Sequence, residues 1–326
     1  MGTVHLYNFD KEQLSLEKPI KYSFLRLFTI LLLGLLPIVI LAQEETSKPS
    51  QQRLKVISYN IWNGFDYGKD KERQQNAIDW IKAQNPDVVA LQELNDYTLE
   101  KLLHDAKKWG HSHAEILKSD GYPVGITSNK PITVKERILE NMHHGALHCE
   151  TWGIDFFVIH FSPFSFTKRH EEADIILSKL EKVRKNQDKY IVLGDFNALS
   201  PFDAQFYKGN NKMLAAMKES EHKHEHIRNL HMGRLEYGVM ARYVGFPLLD
   251  VVQIHTRELE ERLSSPSQIF EKDVDKGRYG HPKRIDYIMT SPALEGVCTY
   301  ARVHNGESTY HLSDHYPVIA VFLLGD

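Results

Sequence analysis

Residues 190–198 read YIVLGDFNA, and this stretch decides the fold. Tyr190 to Leu193 form a continuous apolar run, the pattern of a strand covered on both faces. The run leads straight into Asp195 and Asn197. Burying a carboxylate is costly unless it is paired or binds a metal. The same pattern recurs along the chain. LKVISYN (54–60) is a strand ending in Asn60, VVALQE (88–93) ends in Glu93, and IDFFVIHF (154–161) carries His160 near its end. RIDYIMT (284–290) holds Asp286, and YPVIAVFLL (316–324) follows directly on Asp314 and His315. Any one of these reads equally well as a turn or cap residue, since Asp and Asn favour turns. Together they point to one polar site at a shared edge of the sheets.

Helical patterns separate these strands. Residues 70–84 place Ala77, Ile78 and Ile81 at helical spacing, and Pro86 ends the helix. A second helix is expected over 96–109. A third, over 167–187, puts Ala173, Ile176, Leu177, Leu180 and Val183 on one face. HAEILK (113–118), PVGITS (123–128) and ITVKERIL (132–139) read as short strands. GALHCET (145–151) and IDFFVIHF flank Trp152-Gly153 as a hairpin. The expected class is α/β, with two mixed sheets packed face to face and helices outside. No Pro-, Gly- or Ser-rich linker divides the body, and no repeat of 20–50 residues is present.

The chain has 326 residues and a formal net charge of −3, which speaks against duplex binding by massed Lys and Arg. LFTILLLGLLPIVILA (27–42) is uncharged and follows Lys18, Lys21 and Arg26. This is the order of a secretory signal. The run is shorter than the roughly 20 apolar residues that span a bilayer. Residues 1–42 are therefore expected to be a signal peptide, with an uncleaved anchor over 23–42 as the alternative and a buried core helix as the bland one. Residues 43–52 read as a flexible linker and 53–326 as the folded domain. Export, periplasmic or secreted, is the expected destination, as a monomer with no obligatory protein partner. Cys149 and Cys298 allow at most one disulfide, and two separate buried thiols are the alternative.

The strand-end set has its own chemistry. Glu93, Asp314, Asp195 and Asn60 offer hard oxygen ligands, suited to Mg²⁺, Mn²⁺ or Ca²⁺ rather than zinc. His315, with Asp286 as a partner, makes an oriented imidazole. A metal, an oriented His and a carboxylate near a water suit phosphoester hydrolysis.

ISYNIWNG (57–64), LQE (91–93), VGITS (124–128), IHFSP (159–163), GDFNA (194–198), RIDYIM (284–289) and SDHYPV (313–318) resemble, in order, the motifs of the endonuclease/exonuclease/phosphatase superfamily. The resemblance implies a four-layer α/β sandwich of the DNase I type and a Mg²⁺-dependent hydrolase of phosphate esters. It assigns Asn60, Glu93 and Asp314 to the metal and Asp195 to the attacking water. Asn197 would hold the scissile phosphate. His315, oriented by Asp286, would stabilise charge, and His160 would lie near the leaving group as a general acid. Some nuclease members carry an acidic residue where this chain has Trp62, which puts a second metal in doubt. The expected substrate is a phosphodiester, with a phosphomonoester or sphingomyelin-like lipid as alternatives and an inert binding protein on the same fold as the alternative of another class.

Two further features stand outside these motifs. EHKHEHIRNLH (221–231) could set His222 and His226 on one helix as metal ligands, but reads better as a solvated helical insertion. Phe161, Phe164 and Phe166 could wall a substrate site, but read better as packing.

Overall fold

Two parallel strand pairs organise the molecule. The computed structural model describes residues 51–270 and 281–325, all within one compact unit, Lys48–Asp326. β1 (Gln52–Asn60) runs parallel to β2 (Val88–Gln92). The crossover between them is the helix α1 (Lys71–Gln84), whose first turn is capped by Asp70 accepting from Arg73 N–H at 3.0 Å. β7 (Ile154–His160) runs parallel to β8 (Tyr190–Asp195), joined by α3 (Phe166–Val183). Parallel neighbours need such a crossover, and it brings both strand ends to one edge.

Antiparallel strands complete each sheet. These are β3 (His113–Ile116), β4 (Gly125–Ser128), β5 (Thr133–Ile138), β6 (Ala146–Thr151), β11 (Leu249–Asp250), β12 (Asp286–Thr290), β13 (Cys298–Val303) and β14 (Val318–Leu324). One six-stranded sheet has the order β13-β14-β1-β2-β4-β3 and the other β11-β12-β8-β7-β6-β5. A small hairpin, β9 (Leu230–His231) and β10 (Arg234–Leu235), stands apart. The turn between β6 and β7 is Trp152-Gly153, both at positive φ (59° and 69°), as a two-residue hairpin requires.

Three apolar clusters define four layers. Val56, Ala90, Phe156, Leu193, Ile288 and Ala320 come from both sheets and fill the space between them. Alternate residues of the first sheet, such as Ile57, Tyr59 and Val89, face outward. They pack against α1 and α2 (Leu99–Lys108) through Ile78, Ile81 and Leu102. Phe157, Val192 and Met289 of the second sheet pack against α3 and α5 (Gly238–Gly245) through Ile176, Leu180 and Tyr243. The structure is thus the expected sandwich, helix–sheet–sheet–helix.

Some expectations change. The helix expected at 96 begins at Leu99, because Thr98 caps it by accepting from Lys101 N–H at 3.2 Å. The third helix stops at Val183. β13 was not expected, since half its residues are exposed and it bulges at Cys298/Tyr300. Cys149 and Cys298 are both free and buried, so they are two separate thiols. In the His-rich segment, α4 (Asn211–Lys223) ends before His226, so His222 and His226 do not share a helix. The expected signal lies outside the described residues, as does most of the 43–52 linker. Among the described residues no helix is long and apolar enough to cross a membrane.

Candidate active site

The strand ends converge. Asn60 closes β1, and Glu93 follows β2 directly. In the second sheet His160 pairs in register with Asp195, and Asp195 in turn with Asp286. These three residues therefore stand side by side across β7, β8 and β12. Asp314 and His315 sit just before β14, and Ser313 Oγ ties that loop to Asn60 O at 2.7 Å. Gly194 has φ of 139°, and a Cβ there would stand 2.0 Å from Ile159 O. The glycine of GDFN is what allows β8 to lie this close to β7.

A hydrogen-bond network fixes the carboxylates. Asn60 Nδ2 donates to Glu93 Oε1 at 3.0 Å and to Asp195 Oδ2 at 3.3 Å. Asn197 N–H donates to Asp195 Oδ1 at 2.8 Å, and its side-chain amide donates to Phe161 O at 3.0 Å. His315 Nδ1 lies 2.8 Å from Asp286 Oδ2. His315 Nε2 then points toward Asp195 Oδ2 at 3.9 Å, and His160 Nε2 approaches the same oxygen at 3.6 Å. All eight sequence-expected residues are brought into this one region.

Electrostatics set the protonation states. Burial, reinforced by Asp286, pushes Asp195 up to about 8. Burial, then Asp314, raises Glu93, and burial raises Asp314 in turn. Burial works against the charged form of His315, but Asp286, Asp314 and Asp195 outweigh it and hold the imidazole well above its ordinary value. His160 is held neutral by burial and by the neighbouring His144. Lys283, the residue before RIDYIM, also feels Asp195, Asp314 and Asp286, although burial lowers its own pKa. Four carboxylates thus face two cationic side chains, an excess of acid that suits a divalent cation. One trio, Asp195, Asp286 and His315, has ligand atoms all within 4.8 Å of one another and could hold a metal.

Strained backbone frames the site. Trp62 to Tyr67 all have φ between 51° and 60°, a left-handed helical turn. Such a conformation costs roughly 1–2 kcal/mol per L-residue. Here it aims Asn63 N–H at Glu93 Oε2 (2.8 Å). Arg73 holds the turn from beneath. It donates to Ile61 O at 2.8 Å and Trp62 O at 3.0 Å, and its guanidinium lies 4.9 Å from the Trp62 ring. Gly64 is packed so closely that a Cβ would stand 2.0 Å from Asn95 O. Glu93 and Asn197 also have positive φ, 60° and 48°. Strain concentrated at polar groups is a mark of function.

A cleft of about 470 Å³ opens over Glu93, Asp195, Asn197, His160 and His315. Its far wall is Lys118, Tyr122, His143, His144 and Phe164. His144 stacks on His160, with ring centroids 4.2 Å apart, and His143 meets Phe164 edge-on at 5.3 Å. Apart from Phe164, this wall and Lys283 were not anticipated from sequence, because they lie outside the apolar strand ends. The three phenylalanines divide. Phe161 is core, against Phe196 and Tyr243, and Phe166 packs on His231. Phe164 alone faces the cleft.

With fold and site in view, the class is that of the sandwich-fold phosphoester hydrolases. The chain belongs to the Endonuclease/Exonuclease/phosphatase family, whose family model matches residues 57–315. Among solved structures it is similar to an AP endonuclease from Archaeoglobus fulgidus, with TM-score 0.58 and 20% identity over 82% of this chain and 99% of that one. It is also similar to the 3′ phosphatase NExo from Neisseria bound to a product DNA hairpin, with TM-score 0.59 and 18% identity over 83% and 100%. A 3′-5′ exonuclease, NExo from Neisseria meningitidis, has TM-score 0.58 and 18% identity over 83% and 100%. At these identities the likeness concerns the fold. No curated protein matches the chain.

Proposed function

We propose that this chain is an exported, Mg²⁺-dependent phosphodiesterase that hydrolyses its substrate by direct attack of water. The observation that carries the reading is the placement of Asp195 Oδ2, flanked by His160 Nε2 at 3.6 Å and His315 Nε2 at 3.9 Å within a buried excess of carboxylates.

Glu93 and Asp314, steadied by Asn60, would hold the ion. The trio Asp195, Asp286 and His315 is the closer-set group, but His315, whose charged form the surrounding carboxylates favour, would have to give up a proton to join it. Once bound, Mg²⁺ supplies Lewis-acid neutralisation of phosphate oxygens. The chain's own residues do the rest. Asp195, fixed through Oδ1 by Asn197 N–H, would orient a water and, in the ionised form that a bound cation favours, take its proton on Oδ2. His315, held charged by Asp286, faces the charge that builds on the phosphoryl oxygens, and Lys283 adds a second cation. His160, neutral and 3.6 Å from Asp195 Oδ2, would relay to the leaving oxygen the proton that Asp195 takes from the water, and so return to its neutral form.

Two named neighbours, the AP endonuclease and the NExo–DNA complex, support a nucleic acid or related phosphoester as substrate. Residues 27–42 support export, and the chain is read as a monomer. The test is turnover by the purified chain on plasmid DNA, RNA, sphingomyelin and simple phosphomonoesters, with Mg²⁺ or EDTA and with Asp195→Ala as blank. Mg²⁺-dependent cleavage of a diester, lost in the blank, is expected. Cleavage of monoesters or sphingomyelin alone would replace the phosphodiesterase reading. No metal-dependent turnover on any member would favour a binding protein on this fold.

A further inference from the structure

Two imidazoles flank Asp195, and they are held in different ways. His315 is pinned through Nδ1, which lies 2.8 Å from Asp286 Oδ2. His160 has no such pin. Its Nδ1 is buried and has no hydrogen-bond partner among the described residues. Its Nε2 stands 3.6 Å from Asp195 Oδ2, too far for a direct bond. A working imidazole is ordinarily oriented by a hydrogen bond at its other nitrogen. Here a ring takes that place. His144 stacks on His160, with centroids 4.2 Å apart and planes 23° apart. Burial, then His143 and Lys118, lowers His144 to about 3, and His160 is also held neutral, so the two rings meet without charge repulsion.

The stack is itself braced. The Tyr122 ring lies 5.2 Å from the His144 ring, and His143 meets it edge-on at 4.3 Å. Glu172, fully buried on α3, accepts from His143 N–H at 2.7 Å and from Ser162 N–H at 2.8 Å. His143 precedes His144, and Ser162 lies two residues after His160. One carboxylate thus ties together the two backbone segments that carry the stacked rings.

We propose that His144 is a positioning residue for hydrolysis: its ring, braced by Tyr122 and Glu172, holds the His160 ring at the angle from which Nε2 serves both Asp195 and the leaving oxygen. The inference rests on the reading of His160 as the proton relay. In that relay the water's proton passes to Asp195, then to His160 Nε2, then to the leaving oxygen as its bond to phosphorus breaks. His144 and Glu172 exchange no proton. Proton transfer needs its groups in line, and a misplacement of about 1 Å can cost on the order of 10² in rate. A leaving oxygen that needs a proton therefore depends on the stack. One that departs as a stable anion depends on it far less.

Two esters of thymidine 5′-phosphate, assayed with Mg²⁺, read this difference. One releases p-nitrophenolate, which leaves without a proton. The other releases the 3′ oxygen of a second thymidine, which needs one. His144→Ala should lower kcat on the dinucleotide by about 10² and far less on the aryl ester, with KM little changed. His160→Ala should show the same split. A general loss of packing would lower both esters alike. His144→Phe keeps a flat ring and should restore most of the dinucleotide rate. His144→Leu keeps bulk without the flat ring, and replaces His144→Ala if that variant fails to fold by circular dichroism. If His160→Ala splits the two esters and the His144 variants do not, the proposal is overturned. A crystal structure of His144→Leu gives a readout without turnover. The His160 ring should be turned, with Nε2 no longer facing Asp195 Oδ2, and an unmoved ring overturns the proposal. If neither ester is cleaved, or His160→Ala shows no split, the relay reading falls and that structure decides: a turned ring upholds His144 as what orients His160.

Discussion

Arg284 and Asp286, two positions apart in the chain, belong to two buried charge clusters that behave in opposite ways. Arg284 belongs to the first. Its Nε donates to Asp203 at 2.6 Å, its Nη2 lies 2.7 Å from Asp250 Oδ2, and Arg262 adds a bond to Asp203 at 3.2 Å. Two guanidinium groups meet two carboxylates, and the charges balance. Asp286 belongs to the second cluster, where carboxylates outnumber their partners and Asp195 is pushed up to about 8, chiefly by burial and then by Asp286. The first cluster cross-links the loops behind β12. The second includes a trio of side chains that could hold a metal ion. A balanced buried network is structural, and an unbalanced one is a site.

The comparison can be broken most sharply at Asp195. Asp195→Asn should lower kcat/KM by about 10²–10⁴, the usual range for lost acid–base help. In EDTA at neutral pH the same variant should melt higher than wild type. The sign follows from the raised pKa: a carboxyl that binds its proton more tightly when folded contributes stability that is lost as pH rises from about 4 to about 8. An equal or lower melting temperature would mean that the excess of acid is not costly. Arg284→Met should do the reverse, because it leaves Asp203 and Asp250 under-paired. The expected loss is about 3–5 kcal/mol in denaturant titrations.

Glu172 sharpens the contrast. It accepts from Ser162 N–H at 2.8 Å and His143 N–H at 2.7 Å, and burial raises it to about 7. Stability should therefore fall between about pH 4.5 and 7, by at most about 3 kcal/mol at 1.36 kcal/mol per unit. Glu172→Gln should flatten that slope, and a slope left unchanged would remove Glu172 as its source. Gly64 tests the turn rather than the acid, since alanine there meets the backbone Asn95 O and a positive φ. Gly64→Ala should cost more than the roughly 1–3 kcal/mol of the backbone strain alone, and should weaken Mg²⁺ binding through displaced Glu93, read by calorimetry.

The layers and the eight strand-end residues were legible because an apolar strand that stops at an acid, amide or imidazole violates binary patterning at one point. β13 was not, because a half-exposed, bulged edge strand lacks that apolar run. Nor was the left-handed turn at Trp62–Tyr67, since five of its six residues have side chains that local preference keeps out of that region. Asn60, Arg73 and Glu93 hold it there, through bonds to Trp62 N–H, Trp62 O and Asn63 N–H. Lys283 and His144 sit on loops where a polar residue is ordinary. Their meaning comes from what they face.

His315 and Asp314 lie a dozen residues from the C-terminus, and Ser313 clasps Asn60 from the first strand. The first and last strands of the two six-stranded sheets therefore bring their polar ends to one place. Removing β14 with the loop before it would take away the imidazole, one carboxylate and the antiparallel partner of β1 together.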